Sequence, residues 1–327
     1  MIRIRTQLSN RKKILFYVFL AIFTFSFITA CSTDLPRFDG ERAYTTLQQL
    51  VALGPRNPGS PGHQEALMFL THELSEYADK VQKQAFRSPL THLTDSLDLT
   101  NIIASFYVEN GNRILLCTHW DTRPWADQDP NPDNRNKPIW GANDGASGVA
   151  SLLELAKILR AQKPKYGVDL ILFDGEDMGE AMTNDNPELD SGQKKNIENL
   201  PYGGYLLGST YFAKHLGAYK PLYGILIDMV GDRNLEIYIE GNSNRLAPKE
   251  VLHVFEKAKG IPQFHPKVRH FVTDDHIPLN QAGIPTLLLI DMDYPYWHTL
   301  EDTPDKCSPE SLKAVGDLLV RILYDKS

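Results

Sequence analysis

The sequence predicts an α/β protein built on a mixed, mostly parallel sheet. Three observations lead there. Short apolar, β-branched runs at 113–118, 168–173, 222–230 and 285–290 have strand length and read as strands buried on both faces. Amphipathic segments of helix length alternate with them, with no internal repeat. Acidic and imidazole side chains follow directly after these runs, where the strand ends of an open sheet leave a ligand-binding crevice. The 327 residues, 42 % of them apolar, suffice for one large core. A net charge of −7 and the lack of a basic aromatic stripe argue against a nucleic-acid partner.

Residues 1–31 read as an export signal. Arg3, Arg5, Arg11, Lys12 and Lys13 form a positive start, and an uncharged apolar run follows to Thr29. Ile28-Thr-Ala-Cys31 has the form of a bacterial lipobox, so Cys31 is expected to carry a lipid anchor holding an exported protein at a bacterial membrane, on a periplasmic or outer-membrane face. Residues 32–39 form a tether and 40–327 a single catalytic domain, expected to act as a monomer. Cys117 and Cys307 remain and read as buried free thiols, although this compartment permits disulfides.

Tyr44, Leu47, Leu50 and Val51 fall at helical spacing. The segment 54–61, with three prolines and two glycines, must then be a loop. Ala66, Phe69, Leu70 and Leu74 share one face of a second helix. Residues 80–87 suit an edge strand. The runs 99–107 and 113–118 are joined by Glu109-Asn-Gly-Asn112, a hairpin signal. The loop 123–138 carries Asp127, Asp129 and Asp133 and reads as solvated, since its spacing matches no EF-hand. A helix over 146–159 follows. Residues 178–200 are polar and aperiodic, a loop long enough to cover a site. Further on come a short helix (210–216), a strand at 235–239 beside the one at 222–230, a helix (249–259), and a short helix opened by Asp274-Asp-His-Ile-Pro278. A closing amphipathic helix covers 309–324, with Ser308 as its N-cap.

Four pieces together resemble a metal site assembled from loops. Gly175 ends a strand and Glu176 and Asp177 follow at once; one carboxylate can bind a metal while the other moves a proton. His119 and Asp121 project from one face at the end of another strand. Asp144 lies in the small-residue loop Gly141-Ala-Asn-Asp144-Gly-Ala-Ser-Gly148 that opens a helix. His298 lies in Tyr294-Pro-Tyr-Trp-His-Thr299 after the last strand.

In order, His119-Trp-Asp, the Asp144 loop, Phe173-Asp-Gly-Glu-Asp177, Asp228-Met-Val-Gly, Asp274-Asp-His-Ile-Pro and Trp297-His-Thr are similar to the zinc aminopeptidase superfamily. Within it, the chain from about residue 40 onward resembles the animal-type glutaminyl cyclases and their bacterial counterparts. The resemblance implies a three-layer α/β/α fold and one catalytic Zn2+ held by Asp144, Asp177 and His298. It also implies Glu176 as general acid/base, Asp228 and Asp274 as supporting acids and Trp297 as a pocket wall. Its activity would be cyclisation of N-terminal glutamine in peptides and exported proteins to pyroglutamate, with release of ammonia. Two departures stand out. The animal enzymes have glutamate at the position of Asp177, and they place a tryptophan soon after the carboxylate pair. Here the missing wall is expected from Tyr294, Tyr296 or Trp140. His119, with Asp144 and Asp228, could complete a second metal site, which makes a two-zinc aminopeptidase the rival reading. A surface lipoprotein that only binds is the third, disfavoured because Glu176 and every expected ligand are present.

Overall fold

The computed structural model describes residues 35–88, 96–179 and 201–325. Helices α1 (Gly40–Ala52) and α2 (Pro61–Tyr77) lead into strands β1 (Lys80–Ser88), β2 (Leu97–Phe106) and β3 (Arg113–His119). Helix α3 (Ala146–Ala161), strand β4 (Gly167–Phe173), helix α4 (Leu207–Lys214) and strand β5 (Tyr223–Asp228) follow. Then come β6 (Ile237–Ile239), α5 (Gly241–Leu246), α6 (Pro248–Lys257), β7 (Phe264–Val268), α7 (His276–Gln281), β8 (Thr286–Ile290) and α8 (Pro309–Tyr324). The expected signal, residues 32–34 of the tether and residues 180–200 of the loop 178–200 lie outside the described residues. Among the described residues no helix is long and apolar enough to cross a membrane.

The main sheet runs β1-β2-β4-β3-β5-β8. Strands β3, β4, β5 and β8 are mutually parallel, while β1 and β2 add an antiparallel edge. Strict alternation along the parallel strands divides their side chains between two faces. Ile114, Leu116, Leu170, Leu172, Ile225 and Leu287 pack under α1, α2, α3 and α8. Leu115, Cys117, Ile171, Phe173, Leu226 and Leu288 face Phe212 of α4 and Leu279 of α7. The result is the three-layer α/β/α fold. Cys117 and Cys307 are both buried and free. Ser308 caps α8 as expected, accepting from the Ser311 amide.

Two expectations are corrected. The runs before and after the Asn-Gly turn do not pair as a hairpin, because β4 lies between them. All seven residues of β4 are buried, which requires a central position with neighbours on both sides. The turn spans the start of β4 instead. Asn112 O accepts from the Gly167 amide, and the Arg113 guanidinium grips Asp169 of β4 at 2.7 Å. The strand β6, expected beside β5, pairs with β7 in a separate two-stranded sheet.

The chain order of the parallel strands creates the crevice. From β3 the chain passes through α3 to β4 on one side, then through α4 to β5 on the other. The strand order reverses at β3, and ligands bind at such switch points. Register brings the ends level: His119 pairs with Phe173 and Asp228 with Ile290.

Candidate metal and active site

Each candidate side chain is held by the element that precedes it. Gly175, at φ +72°, makes the turn after β4 that a residue with a side chain would resist. It delivers Glu176 and Asp177, whose backbone amides both donate to the Asp121 carboxylate at 3.1 and 3.2 Å. Gly145 lets the start of α3 pass against His119, where a Cβ would sit 2.7 Å from the imidazole. The Asp144 loop is fixed by Asp302, which accepts from the amides of Asn143 and Asp144. The buried Arg56 guanidinium holds the same loop through the carbonyls of Trp140 and Gly141. His298 and Met229 both have left-handed backbones, at φ +54° and +46°. Such strain persists where the surroundings over-determine the conformation, a condition common at functional sites.

These elements bring the six distant motifs to one place. Asp144, Asp177 and His298 form one buried group, with His298 Nε2 at 3.3 Å from Asp177 Oδ1 and 3.6 Å from Asp144 Oδ2. His119, Asp144 and Asp228 form another, with His119 Nε2 at 3.1 Å from Asp144 Oδ1 and 3.2 Å from Asp228 Oδ1. Asp144 belongs to both. A tetrahedral cation with N and O ligands at about 2.0–2.2 Å separates neighbouring ligands by about 3.4 Å, which the first group matches. Asp144 Oδ2 and Asp177 Oδ2 are buried with no hydrogen-bond partner. Carboxylate oxygens are costly to bury in that state, and a cation would satisfy them. The residues therefore fit a metal.

Electrostatics divide the acids. Burial works against ionisation of Asp177, but His298 and Arg123 hold its carboxyl well below the usual range. Burial and the adjacent charge of Asp177 push Glu176 well above it. Asp274 is likewise raised by burial and by Asp228 and Asp275. One carboxylate is thus held ionised for a cation, and its neighbour is set to carry a proton.

A cavity of about 540 Å³ opens onto both groups. Glu176, Asp228, Asp274 and Trp297 line it as expected, and the Trp297 ring stacks on His298 with centroids 3.9 Å apart. Tyr294 does not line it. This residue is 3 % exposed and donates to Asp302 at 2.7 Å, so its hydroxyl serves the Asp144 loop and offers nothing to a ligand. Tyr296 and Trp140 are absent from the lining too. The rest of the wall includes Tyr202, Tyr205, Phe271 and Met292. No periodicity marks these four; only the Tyr-Gly-Gly-Tyr spacing at 202–205 hinted at an aromatic loop.

The loop 123–138 is also corrected. Asp127 Oδ1 lies 3.1 Å from His298 Nδ1 and accepts from Arg123, so this acid backs a candidate ligand. Asp129 is buried and accepts from the Leu300 amide. Only Asp133 stays exposed. A carboxylate behind a ligating histidine fixes the ring's tautomer and orientation.

Residues 101–323 match the model of peptidase family M28. The chain belongs to this family. Among solved structures, the glutaminyl cyclase of Bacteroides thetaiotaomicron, solved with N-acetylhistamine, is 35 % identical with a TM-score of 0.81. That similarity covers 90 % of this chain and 100 % of the relative. A Zn-dependent exopeptidase from Parabacteroides distasonis is 34 % identical, also at a TM-score of 0.81, over 90 % of this chain and 100 % of that one. Among sequence relatives, the glutaminyl-peptide cyclotransferase of Gloydius blomhoffii is 26 % identical over 81 % of this chain and 75 % of its own length.

Proton competition at this M28 site gives a first prediction. Burial opposes the charge on His298, but Asp177 and Asp127 raise it to about 9. A ligating imidazole must be neutral, so below that value a proton competes with the metal. Zinc affinity should rise with pH from about 6 to 9, and binding near neutrality should release protons. Calorimetric titrations in two buffers of different ionisation enthalpy measure this. An affinity independent of pH over that range would refute it.

Proposed function

We propose that this protein is a zinc-dependent glutaminyl-peptide cyclotransferase, converting N-terminal glutamine of peptides and exported proteins to pyroglutamate. The observation that carries the reading is the cavity: a raised Glu176 carboxyl beside a buried Asp144/Asp177/His298 group, with an aromatic wall and an open mouth. The similarity to solved bacterial glutaminyl cyclases over nearly the whole chain supports it.

The substrate's own α-amine attacks its γ-carbonyl carbon. The reaction is intramolecular, so the site must hold one folded-back residue rather than unite two molecules. Asp144, Asp177 and His298 would hold one zinc ion, which would supply a Lewis acid for the γ-carbonyl oxygen. Glu176 takes the proton from the amine as the C–N bond of the ring forms. It returns that proton to the departing nitrogen as the other C–N bond breaks, releasing ammonia. No water is consumed. Asp274 and Asp228 stand on the cavity wall with Glu176, and the Asp274 carboxyl adds to the rise that lets Glu176 hold its proton. Trp297 packs against the glutaminyl side chain, and the peptide leaves past Phe271, which is 73 % exposed at the mouth.

The rival two-zinc aminopeptidase rests on one observation, the gathering of His119, Asp144 and Asp228 around the shared Asp144. The products separate the two. The full mature chain, incubated with a Gln-Phe-Ala peptide, should yield that peptide less one ammonia by mass spectrometry. Free glutamine formed by addition of water would establish the aminopeptidase. The sequence features at 1–31 support export and a lipid anchor at Cys31 as part of the same proposal. Membrane partitioning that Cys31→Ser abolishes is the corresponding test.

A further inference from the structure

Among the described residues, Arg123 is a buried cation that touches two of the three candidate ligands of the Asp144/Asp177/His298 group, Asp177 directly and His298 through Asp127. Its side chain is 1 % exposed. Nη1 donates to Gly179 O at 2.9 Å, to Asp177 O at 3.2 Å and to Asp177 Oδ1 at 3.3 Å. Nε and Nη2 grip Asp127 at 2.9 and 2.8 Å, and Asp127 Oδ1 lies 3.1 Å from His298 Nδ1. The guanidinium also lies 5.3 Å from the ring centre of Tyr205, a wall of the cavity, and 5.7 Å from that of Trp125. Gly179 makes this stack possible, since a Cβ there would overlap the Tyr205 ring.

We propose that Arg123 is a positioning residue that sets Asp177 and His298 for metal binding and, through Tyr205, couples metal retention to the substrate wall. The planar five-donor guanidinium is suited to this, because it meets a carboxylate side-on while its other edge holds two carbonyls. A lysine ammonium is a point charge. It can pair with Asp127 or with the 177–179 backbone, and its geometry does not reach both while covering Tyr205. Loss of partners behind metal ligands lowers metal affinity by about 10- to 100-fold in comparable sites.

The inference rests on the zinc reading, and the test separates the two. Full-length wild type, Arg123→Lys, Asp127→Asn and a control, Arg113→Lys, are loaded with zinc, and its transfer to a chromogenic chelator is timed. Arg113 grips Asp169 in the sheet, away from the site, so its variant reports lost stability alone. Arg123→Lys should release zinc about 10- to 100-fold faster than wild type and raise KM as well as lower kcat. Asp127→Asn should speed release while leaving KM close to wild type, because Arg123 still covers Tyr205. It serves as the measurement if the lysine variant does not fold. Release from Arg123→Lys and Asp127→Asn at the wild-type or Arg113→Lys rate overturns the positioning role. Wild type that holds no zinc refutes the metal reading itself.

Discussion

Replacing Glu176 by glutamine should lower kcat by roughly a thousandfold while leaving zinc content unchanged. Positioned proton transfer contributes about 10²–10⁴ in rate. Glutamine keeps the shape of the side chain and loses only the ability to accept and return a proton. Glu176 belongs to neither metal-holding group, so the ligands remain complete. The loss should fall on kcat with little change in KM, since the contact that disappears acts in the transition state. The sign of the pH dependence follows from the raised carboxyl. A base must be deprotonated, so activity should climb with pH through a value above the ordinary glutamate range and fall away below it. Steady-state kinetics with metal analysis of the same samples check both statements. A variant with near wild-type kcat and bound zinc would remove Glu176 from the mechanism and shift attention to Asp274.

How much of this site the sequence announces depends on how local each signal is. The pair Glu176-Asp177 follows a strand that its apolar run makes unmistakable, and the carboxyl ends of parallel strands are where ligands sit. His119 and Asp228 close their strands in the same way, Asp144 stands in a small-residue loop opening a helix, and His298 follows the last strand in an aromatic segment, so each carries a local signal. Asp127 does not. It lies in a loop of polar residues whose composition says solvent, and only the fold brings that loop against His298. Arg123 hid likewise among loop residues, since nothing in its neighbours announces a buried cation. Tyr294 misled in the opposite direction. It stands four residues before His298, inside the most suggestive motif, yet its side chain is buried and its hydroxyl donates to Asp302. Phe271 and Tyr205 reach the cavity from segments far apart in sequence, and no spacing rule links them. The hairpin error has the same root. An Asn-Gly turn favours a tight reversal, but whether the flanking strands pair depends on a third strand supplied later in the chain, at Gly167–Phe173, one that is buried throughout.

Stripping the protein of zinc should abolish turnover, and the amount of zinc that restores it decides between one metal and two. Polarisation by a bound metal is worth several kcal/mol in the transition state; about 4 kcal/mol corresponds to about a thousandfold in rate. Metal loss also leaves Asp144, Asp177, Glu176, Asp228 and Asp274 around one cavity, their charge offset only in part by protonated His298. Unfolding of the metal-free protein should therefore begin at lower temperature, and zinc should raise the midpoint in proportion to its occupancy. For the cyclase, one equivalent should return full activity, because Asp144, Asp177 and His298 complete a three-ligand site with the fourth position open. His119→Gln keeps a donor toward Asp144 and Asp228, so it should retain that one zinc and lose less than about tenfold in kcat/KM, the worth of one ordinary hydrogen bond. Asp144→Ala should lose all bound zinc, because both groups depend on it. If activity instead returns only with the second equivalent, and His119→Gln abolishes it, then His119 and Asp228 hold a catalytic metal and the buried pair they form serves hydrolysis.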